Sequence, residues 1–185
     1  MGRTIFVTVG TTLFDKLISA TTSVAALEWM VQNGYTKLVL QYGKGSEPKI
    51  PTAASSKVLQ IEQYRFRPTL DVDMQAADLI LSHAGAGTVL EAMKFQKKLV
   101  VVINTELMDN HQTELAHAVG ERHHLFVVES PELMANMTTW NQFENDFTPI
   151  HPQPQPQQAS CSGGDNDKDP DFPRVVNALM GFSST

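Results

Sequence analysis

The 185-residue sequence lacks several features that would point to common classes of protein. Its only cysteine, Cys161, excludes an intrachain disulfide and a cysteine-rich zinc site. The formal net charge of -6 provides no basic field, which argues against nucleic acid as a partner. The amino terminus has no signal-peptide core, and no apolar run approaches the ~20 residues that a membrane-spanning helix needs. We therefore expect a cytoplasmic protein that would contact a membrane only through a partner.

Several catalytic signatures are missing as well. The chain contains neither the G-x-S-x-G of serine hydrolases nor the G-x-x-x-x-G-K-[ST] of P-loop proteins. Asp71-Val72-Asp73 matches the D-x-D of metal-dependent sugar transferases, but the context RPTLDVDMQAAD favours the acid-rich first turn of a helix. We expect no metal site and no bound cofactor.

Short runs rich in valine and isoleucine alternate with segments of helical pattern. The stretches KKLVVVIN and ADLILSH are apolar on both faces, as the central strands of a parallel sheet are. The alternation predicts a doubly wound α/β fold with right-handed crossovers. The predicted strands are Thr4–Val9, Lys37–Tyr42, Lys57–Gln63, Leu79–Ser82, Lys98–Ile103 and Leu125–Val128. The predicted helices are Asp15–Gln32, Pro68–Ala76, Thr88–Gln96, Asn110–Glu121 and Pro131–Asn136.

The composition changes near residue 148. Residues 148–171 contain five prolines, a glutamine run, a glycine pair and an acidic cluster, which predicts a flexible linker. In residues 172–185, apolar side chains recur at helical spacing, which predicts a helix too short to be stable unless it docks on its own domain or on another chain. We therefore expect one domain over residues 1–147, the linker, and a C-terminal helix and tail.

Polar or glycine-rich segments follow three of the predicted strands. Ligands of open α/β sheets bind beyond the carboxyl ends of the strands, where these segments would collect. The segments are Gly10-Thr11-Thr12, His83-Ala84-Gly85-Ala86-Gly87-Thr88, and Asn104 through Gln112. Three such segments at one edge predict a ligand site there.

The glycine loop after the fourth strand predicts an anion site, because backbone N–H groups at the start of a helix suit a phosphate or diphosphate. Gly85 and Gly87 also fit the G-x-G-x-x-G of dinucleotide-binding folds. Leu90 replaces the third glycine, however, and the match follows the fourth strand rather than the first, which argues against a nicotinamide cofactor. Gly10-Thr11-Thr12 has two interpretations: a second phosphate contact, or a turn in which Thr12 or Asp15 caps the next helix.

Glu91 and the segment DNHQ add possible sugar contacts. The carboxylate of Glu91 could accept hydrogen bonds from two ribose hydroxyls. The alternative is that its negative charge only stabilises the first turn of the helix. Asp109-Asn110-His111-Gln112 gathers donors and acceptors suited to sugar hydroxyls, although Asp109 could simply cap a helix. His83 and His111 are candidates for a general base or for hydrogen-bond donors to the ligand.

Three stretches carry a family resemblance: FVTVGTTLFDKLI, ADLILSHAGAGTVLEAM and KLVVVINTELMDNHQTELA. Together they closely resemble the soluble catalytic subunits of the eukaryotic UDP-N-acetylglucosamine transferase, which adds the second GlcNAc to the dolichol-linked oligosaccharide. The resemblance covers roughly residues 4–128. More distantly, the chain is similar to the C-terminal half of the bacterial GlcNAc transferase of peptidoglycan synthesis, a GT-B enzyme.

The resemblance implies a Rossmann-like, donor-binding half of a GT-B glycosyltransferase, active only as a heterodimer with a membrane-anchored, acceptor-binding subunit. That partner would recruit the chain to the cytosolic face of the endoplasmic reticulum for N-glycosylation. The implied reaction is an inverting, metal-independent transfer from UDP-GlcNAc to GlcNAc-diphosphodolichol, whose base is unassigned and could lie on the partner. A non-catalytic UDP-sugar-binding protein is the alternative, and the segment after residue 148 departs from the family pattern.

By motif position, the resemblance also implies roles for individual residues. The diphosphate would be approached by Gly10, Thr11, Thr12 and the loop from His83 to Thr88. Glu91 would bind the ribose, and backbone near Phe66 would read the uracil edge. The GlcNAc hydroxyls would be held by Asn104, Asp109, Asn110, His111 and Gln112.

Overall fold

The computed structural model of the chain describes residues 2–51, 58–105 and 125–145. Three predicted elements lie wholly outside the described residues. They are the helix Asn110–Glu121, the linker at residues 148–171 and the C-terminal helix at residues 172–185.

A six-stranded, fully parallel sheet forms the centre of the molecule, as the alternating pattern predicts. The strands lie in the order β3-β2-β1-β4-β5-β6. The order reverses between β1 and β4, and this topological switch point is where open α/β sheets bind ligands. The strands are β1 Arg3–Thr8, β2 Tyr35–Gln41, β3 Gln60–Tyr64, β4 Leu79–His83, β5 Lys98–Val102 and β6 Leu125–Val128.

Helices cover both faces of this sheet, which confirms the doubly wound architecture. One apolar layer joins alternate strand residues such as Ile5 and Leu38 to the first, second and last helices. The opposite layer joins residues such as Phe6 and Ile80 to the third and fourth helices. The helices are α1 Asp15–Thr21, α2 Val24–Gln32, α3 Asp71–Ala76, α4 Ala86–Lys94 and α5 Met137–Asn145.

The predicted helix Asp15–Gln32 is wrong as a single element, because it breaks into α1 and α2. The hydroxyl of Thr21 donates to the carbonyl of Leu17, and Thr22 does the same to Ile18. Ser23 is extended, and its side chain accepts from the N–H of Ala26 at 3.2 Å, which caps α2. Hydroxyl side chains that bond to nearby backbone compete with a continuous helix, and the TTS run does so here.

Other element boundaries differ by a few residues. The helix predicted from Pro68 begins only at Asp71, and the one predicted from Thr88 begins earlier, at Ala86. The helix predicted at Pro131–Asn136 is a 3-10 helix over Pro131–Ala135.

The sequence pattern missed α5 altogether. The segment is largely polar, but it buries Trp140 and Phe143 and packs against α2. The rings of Trp29 and Trp140 lie 5.2 Å apart, and each indole N–H donates a hydrogen bond: Trp29 to Asn141 and Trp140 to the carbonyl of Met134. Within the described ranges, no helix combines the length and apolar character needed to cross a membrane.

Candidate functional site

The turn after β1 begins at Gly10, whose φ of +58° lies in the left-handed region that favours glycine. The hydroxyl of Thr12 donates to the carbonyl of Val9 at 2.7 Å, while Thr11 is exposed. The helix-capping interpretation is wrong. Phe14 precedes α1 as its N-cap without a side-chain bond, and the Asp15 carboxylate accepts from the N–H of Ser46 instead. Thr12 therefore closes the turn, and Thr11 faces solvent.

The imidazole of His83, at the end of β4, packs against two glycines. A Cβ atom built on Gly10 would lie 2.8 Å from Cε1 of His83, and one built on Gly85 would lie 2.2 Å from Nε2. Both distances are shorter than real Cβ contacts, so the ring occupies space that only glycine leaves open. Gly10 and Gly85 thus make room for a histidine at the switch point, a relation that no pattern in the sequence indicates.

His83 is only 8% exposed, and its Nδ1 atom has no hydrogen-bond partner among the residues that the structure describes. Burial lowers the pKa of His83 below its ordinary value, and a backbone interaction with Thr8 acts in the opposite direction. The ring is therefore neutral at neutral pH. His83 is thus a buried, neutral imidazole beside Gly10 and Gly85, and its contact with a ligand stays a prediction.

This lowered pKa makes the stability of the fold depend on pH. The unfolded chain, with a histidine pKa of about 6.5, binds more protons at mildly acidic pH than the folded chain does. The stabilising contribution is therefore complete above about pH 6.5 and is lost as the pH falls towards the lowered pKa. We expect urea denaturation at pH 5 to 8 to show this loss in the natural chain and not in His83→Gln. Parallel pH profiles of the two proteins would contradict the assignment.

The start of α4 separates the roles of the two loop glycines. The carbonyl of Gly85 accepts from the N–H of Val89 at 3.0 Å, so the helical ladder begins there. The first-turn N–H groups, from Ala86 to Thr88, therefore have no partner within the helix. A Cβ atom on Gly87 would meet no described atom within 4 Å. Gly85 accommodates His83, whereas the space around the Cβ position of Gly87 is open.

Glu91 lies in the second turn of α4, because the helix begins two residues earlier than predicted. The alternative explanation of Glu91, a favourable charge in the first helical turn, is therefore wrong. Its side chain is exposed, on the helix whose N-terminus borders the switch point. The ribose contact predicted for Glu91 stays a prediction.

The segment after β3 holds Phe66 between two anchored arginines. Arg65 donates to the carbonyl of Gly43 at 3.3 Å, and its guanidinium lies 5.1 Å from the ring centroid of Tyr42. Arg67 lies 3.8 Å from the ring centroid of Tyr64. Phe66 itself is 50% exposed, which is unusual for a phenylalanine in a segment whose neighbouring side chains are held in place.

The D-x-D motif lies in the first turn of α3, as predicted. Asp73 is buried, and both of its carboxylate oxygens accept from Nη1 of Arg67 at 2.9 Å. One of them also accepts from the Tyr64 hydroxyl at 2.6 Å. Burial and this bond raise the pKa of Tyr64 far above its ordinary value. Asp73 thus orders the Phe66 segment, and the described ranges contain no cluster of three metal-binding side chains.

The third predicted segment is described only at its start. Asn104 is buried after β5, and its amide donates to the carbonyl of Leu13 at 3.3 Å, which joins this segment to the loop after β1. Asp109, Asn110, His111 and Gln112 lie outside the described residues. The structure therefore brings together the segments that begin at Gly10, His83 and Asn104.

One residue at this edge escaped the sequence analysis. Gln41, the last residue of β2, is 2% exposed, and its amide donates to the carbonyl of Gly10 at 2.7 Å. No motif contains Gln41, and it lies next to the end of the predicted strand Lys37–Tyr42 like any other polar residue. Its position under the site becomes visible only when the ends of β1, β2 and β3 are packed side by side.

A parallel sheet of this order, with glycine turns and a helix N-terminus at the switch point, defines a Rossmann-like domain of the kind that binds nucleotides. Residues 4–153 match the C-terminal domain of glycosyltransferase family 28, and the chain belongs to this family.

Comparison with individual proteins confirms the resemblance. The chain is 44% identical over 124 residues to the human UDP-N-acetylglucosamine transferase subunit ALG13, a match that covers 67% of this chain and 11% of that protein. An NMR solution structure of ALG13 is similar with a TM-score of 0.59 and 21% identity, covering 79% of this chain and 87% of that one. The chain thus spans about a tenth of the length of its human relative.

The crystal structure of MurG from Acinetobacter baumannii is also similar, with a TM-score of 0.57 and 19% identity. The match covers 77% of this chain but only 42% of MurG. Together with the family match and the observed sheet, this confirms the predicted fold class, a Rossmann-like half of a GT-B glycosyltransferase.

Proposed function

We propose that the chain is the donor-binding subunit of a two-subunit, inverting glycosyltransferase. It would act in the transfer of GlcNAc from UDP-GlcNAc to GlcNAc-diphosphodolichol, the second step of lipid-linked oligosaccharide assembly. The observation that carries the proposal is the meeting of the Gly10 turn, the His83 ring and the start of α4 at the switch point of a family 28 domain.

The donor would extend across this edge of the sheet. Its diphosphate would lie over the Gly10 turn and the N–H groups at the start of α4, where Gly87 leaves room for close approach. His83 would donate one hydrogen bond to the diphosphate. Glu91 would bind the two ribose hydroxyls, and backbone near Phe66 would contact the uracil. Asn104 and the segment Asp109–Gln112 would hold the GlcNAc hydroxyls.

The chemistry follows from this placement. The C4 hydroxyl of the acceptor GlcNAc attacks C1 of the donor and loses its proton to a base, while UDP leaves with inversion at C1. Helix N-terminal N–H groups stabilise the charge that develops on the leaving diphosphate, so the reaction needs no metal ion. The engagement of both Asp73 oxygens by Arg67 and Tyr64 supports this, because the D-x-D carboxylate is already used.

A second, membrane-anchored subunit would bind the acceptor and bring the chain to the cytosolic face of the endoplasmic reticulum. The word "subunit" in the names of its relatives supports such a partner. The general base would come from that partner or from His111. Burial of His83 supports a role in donor binding rather than proton transfer from an acceptor.

Calorimetric titration of the purified chain with UDP-GlcNAc, UDP, ADP and NAD tests the donor site. We expect binding of the uridine nucleotides only. Preference for adenine or nicotinamide nucleotides would overturn the proposal. A transfer assay with the partner and lipid-linked GlcNAc, with and without EDTA, tests the reaction. Binding without any transfer would instead identify a UDP-sugar-binding regulator, and loss of transfer in EDTA would contradict metal independence.

A further inference from the structure

The side-chain amide of Gln41 makes four hydrogen bonds beneath the candidate site. Its Oε1 accepts from the hydroxyl of Thr8 at 2.6 Å and from the N–H of Val9 at 3.2 Å. Its Nε2 donates to the carbonyl of Gly10 at 2.7 Å and to the carbonyl of Arg65 at 2.8 Å. Both donors and both acceptor positions of the amide are therefore used.

These partners belong to two different ligand-facing segments. Thr8, Val9 and Gly10 end β1 and begin the glycine turn, whereas Arg65 follows β3 and precedes Phe66. The strands β1 and β3 are not neighbours, because β2 lies between them. The two Nε2 bonds are thus a direct link between the turn and the Phe66 segment across the intervening strand.

We propose that Gln41 is a positioning residue that fixes the Gly10 turn and the Phe66 segment relative to each other, so that one site fits the diphosphate and the base of the same nucleotide. The proposal rests on the proposed function for the identity of the ligand. A buried amide with both donors used holds two carbonyls at one spacing, and a ligand that spans two such segments binds well only when the spacing is already correct.

Glutamine suits this position for a specific reason. A glutamate of the same shape would keep the acceptors for Thr8 and Val9 but would lose the donors to Gly10 and Arg65. Gln41→Glu therefore breaks the link while it preserves the contacts to β1. Gln60 provides the matched control, since it is exposed at the start of the neighbouring strand β3, so Gln60→Glu adds the same charge at the end of β3 opposite to Arg65.

The first test uses the free protein. Amide spectra of the full chain should show large shifts and faster hydrogen exchange at Thr11 and Phe66, whose N–H groups share peptide units with the two carbonyls. We expect these changes in Gln41→Glu but not in Gln60→Glu. Unchanged signals at either residue would overturn the proposal. If Gln41→Glu does not fold, the uncharged Gln41→Met undergoes the same measurement with the same expected result.

The second test compares UDP with inorganic diphosphate, which occupies only one of the two segments. We expect Gln41→Glu to weaken UDP binding by about tenfold or more and diphosphate binding by less than about threefold, because only UDP requires both segments in register. Equal losses for the two ligands would overturn the positioning role. If the natural chain fails to bind UDP, the proposed function is wrong, and the spectra of the free protein alone decide whether Gln41 links the two segments.

Discussion

Replacement of Glu91 by alanine should weaken UDP binding by about 10- to 150-fold, the equivalent of the ~1.5–3 kcal/mol that a hydrogen bond to a charged group contributes. Glu91 is exposed in the second turn of α4, the helix whose N-terminus borders the switch point. Calorimetry with UDP and 2′,3′-dideoxy-UDP measures the effect. The dideoxy ligand should bind the natural chain and Glu91→Ala with similar, low affinity.

A matched variant separates this contact from a general change of charge. Glu28 is exposed on α2, within a helix that packs on the other face of the sheet, so Glu28→Ala removes the same charge without touching the site. We expect Glu28→Ala to bind UDP as the natural chain does. Equal weakening by Glu28→Ala and Glu91→Ala, or an undiminished affinity in Glu91→Ala, would show that Glu91 does not bind the ribose.

The sheet and its ligand-binding edge could be predicted because their signals are local. Buried parallel strands such as Leu79–His83 are apolar on both faces, and the glycine-rich turns follow them directly. Once the strands alternate with helices, the carboxyl ends must meet at one edge. The identity of the ligand came from the family resemblance, because the spacing of apolar residues does not indicate which ligand binds.

The parts that escaped prediction depend on contacts between distant residues. Gly10 is pressed against the imidazole of His83, a residue far along the sequence, and this contact depends on the pairing of β1 with β4. The hydrogen bonds of Gln41 form only when the ends of β1, β2 and β3 lie side by side in the sheet. The helix α5 is polar apart from a few aromatic contacts, and its Trp140 finds its partner Trp29 more than a hundred residues earlier.

Alanine substitution should change the stability of the fold in opposite directions at Gly85 and Gly87, because the surroundings of the two glycines differ. In Gly85→Ala the new Cβ would lie 2.2 Å from Nε2 of His83, a ring that also contacts Gly10, so the buried imidazole must shift. Overpacking of this kind costs about 1–3 kcal/mol. In Gly87→Ala the Cβ enters open space, and the helix gains up to about 1 kcal/mol from the better propensity of alanine. Urea denaturation of the two variants measures both effects.

A double-mutant cycle identifies the cause. If the clash with the imidazole destabilises Gly85→Ala, then the same change in a His83→Ala background should cost little, because the ring is gone. Equal costs in both backgrounds would place the strain elsewhere. Gly87→Ala then becomes the sharper probe of function: a variant at least as stable as the natural chain that nevertheless binds UDP more weakly would show that a phosphate approaches the backbone at Gly87. Unchanged UDP affinity would move the diphosphate away from the start of α4.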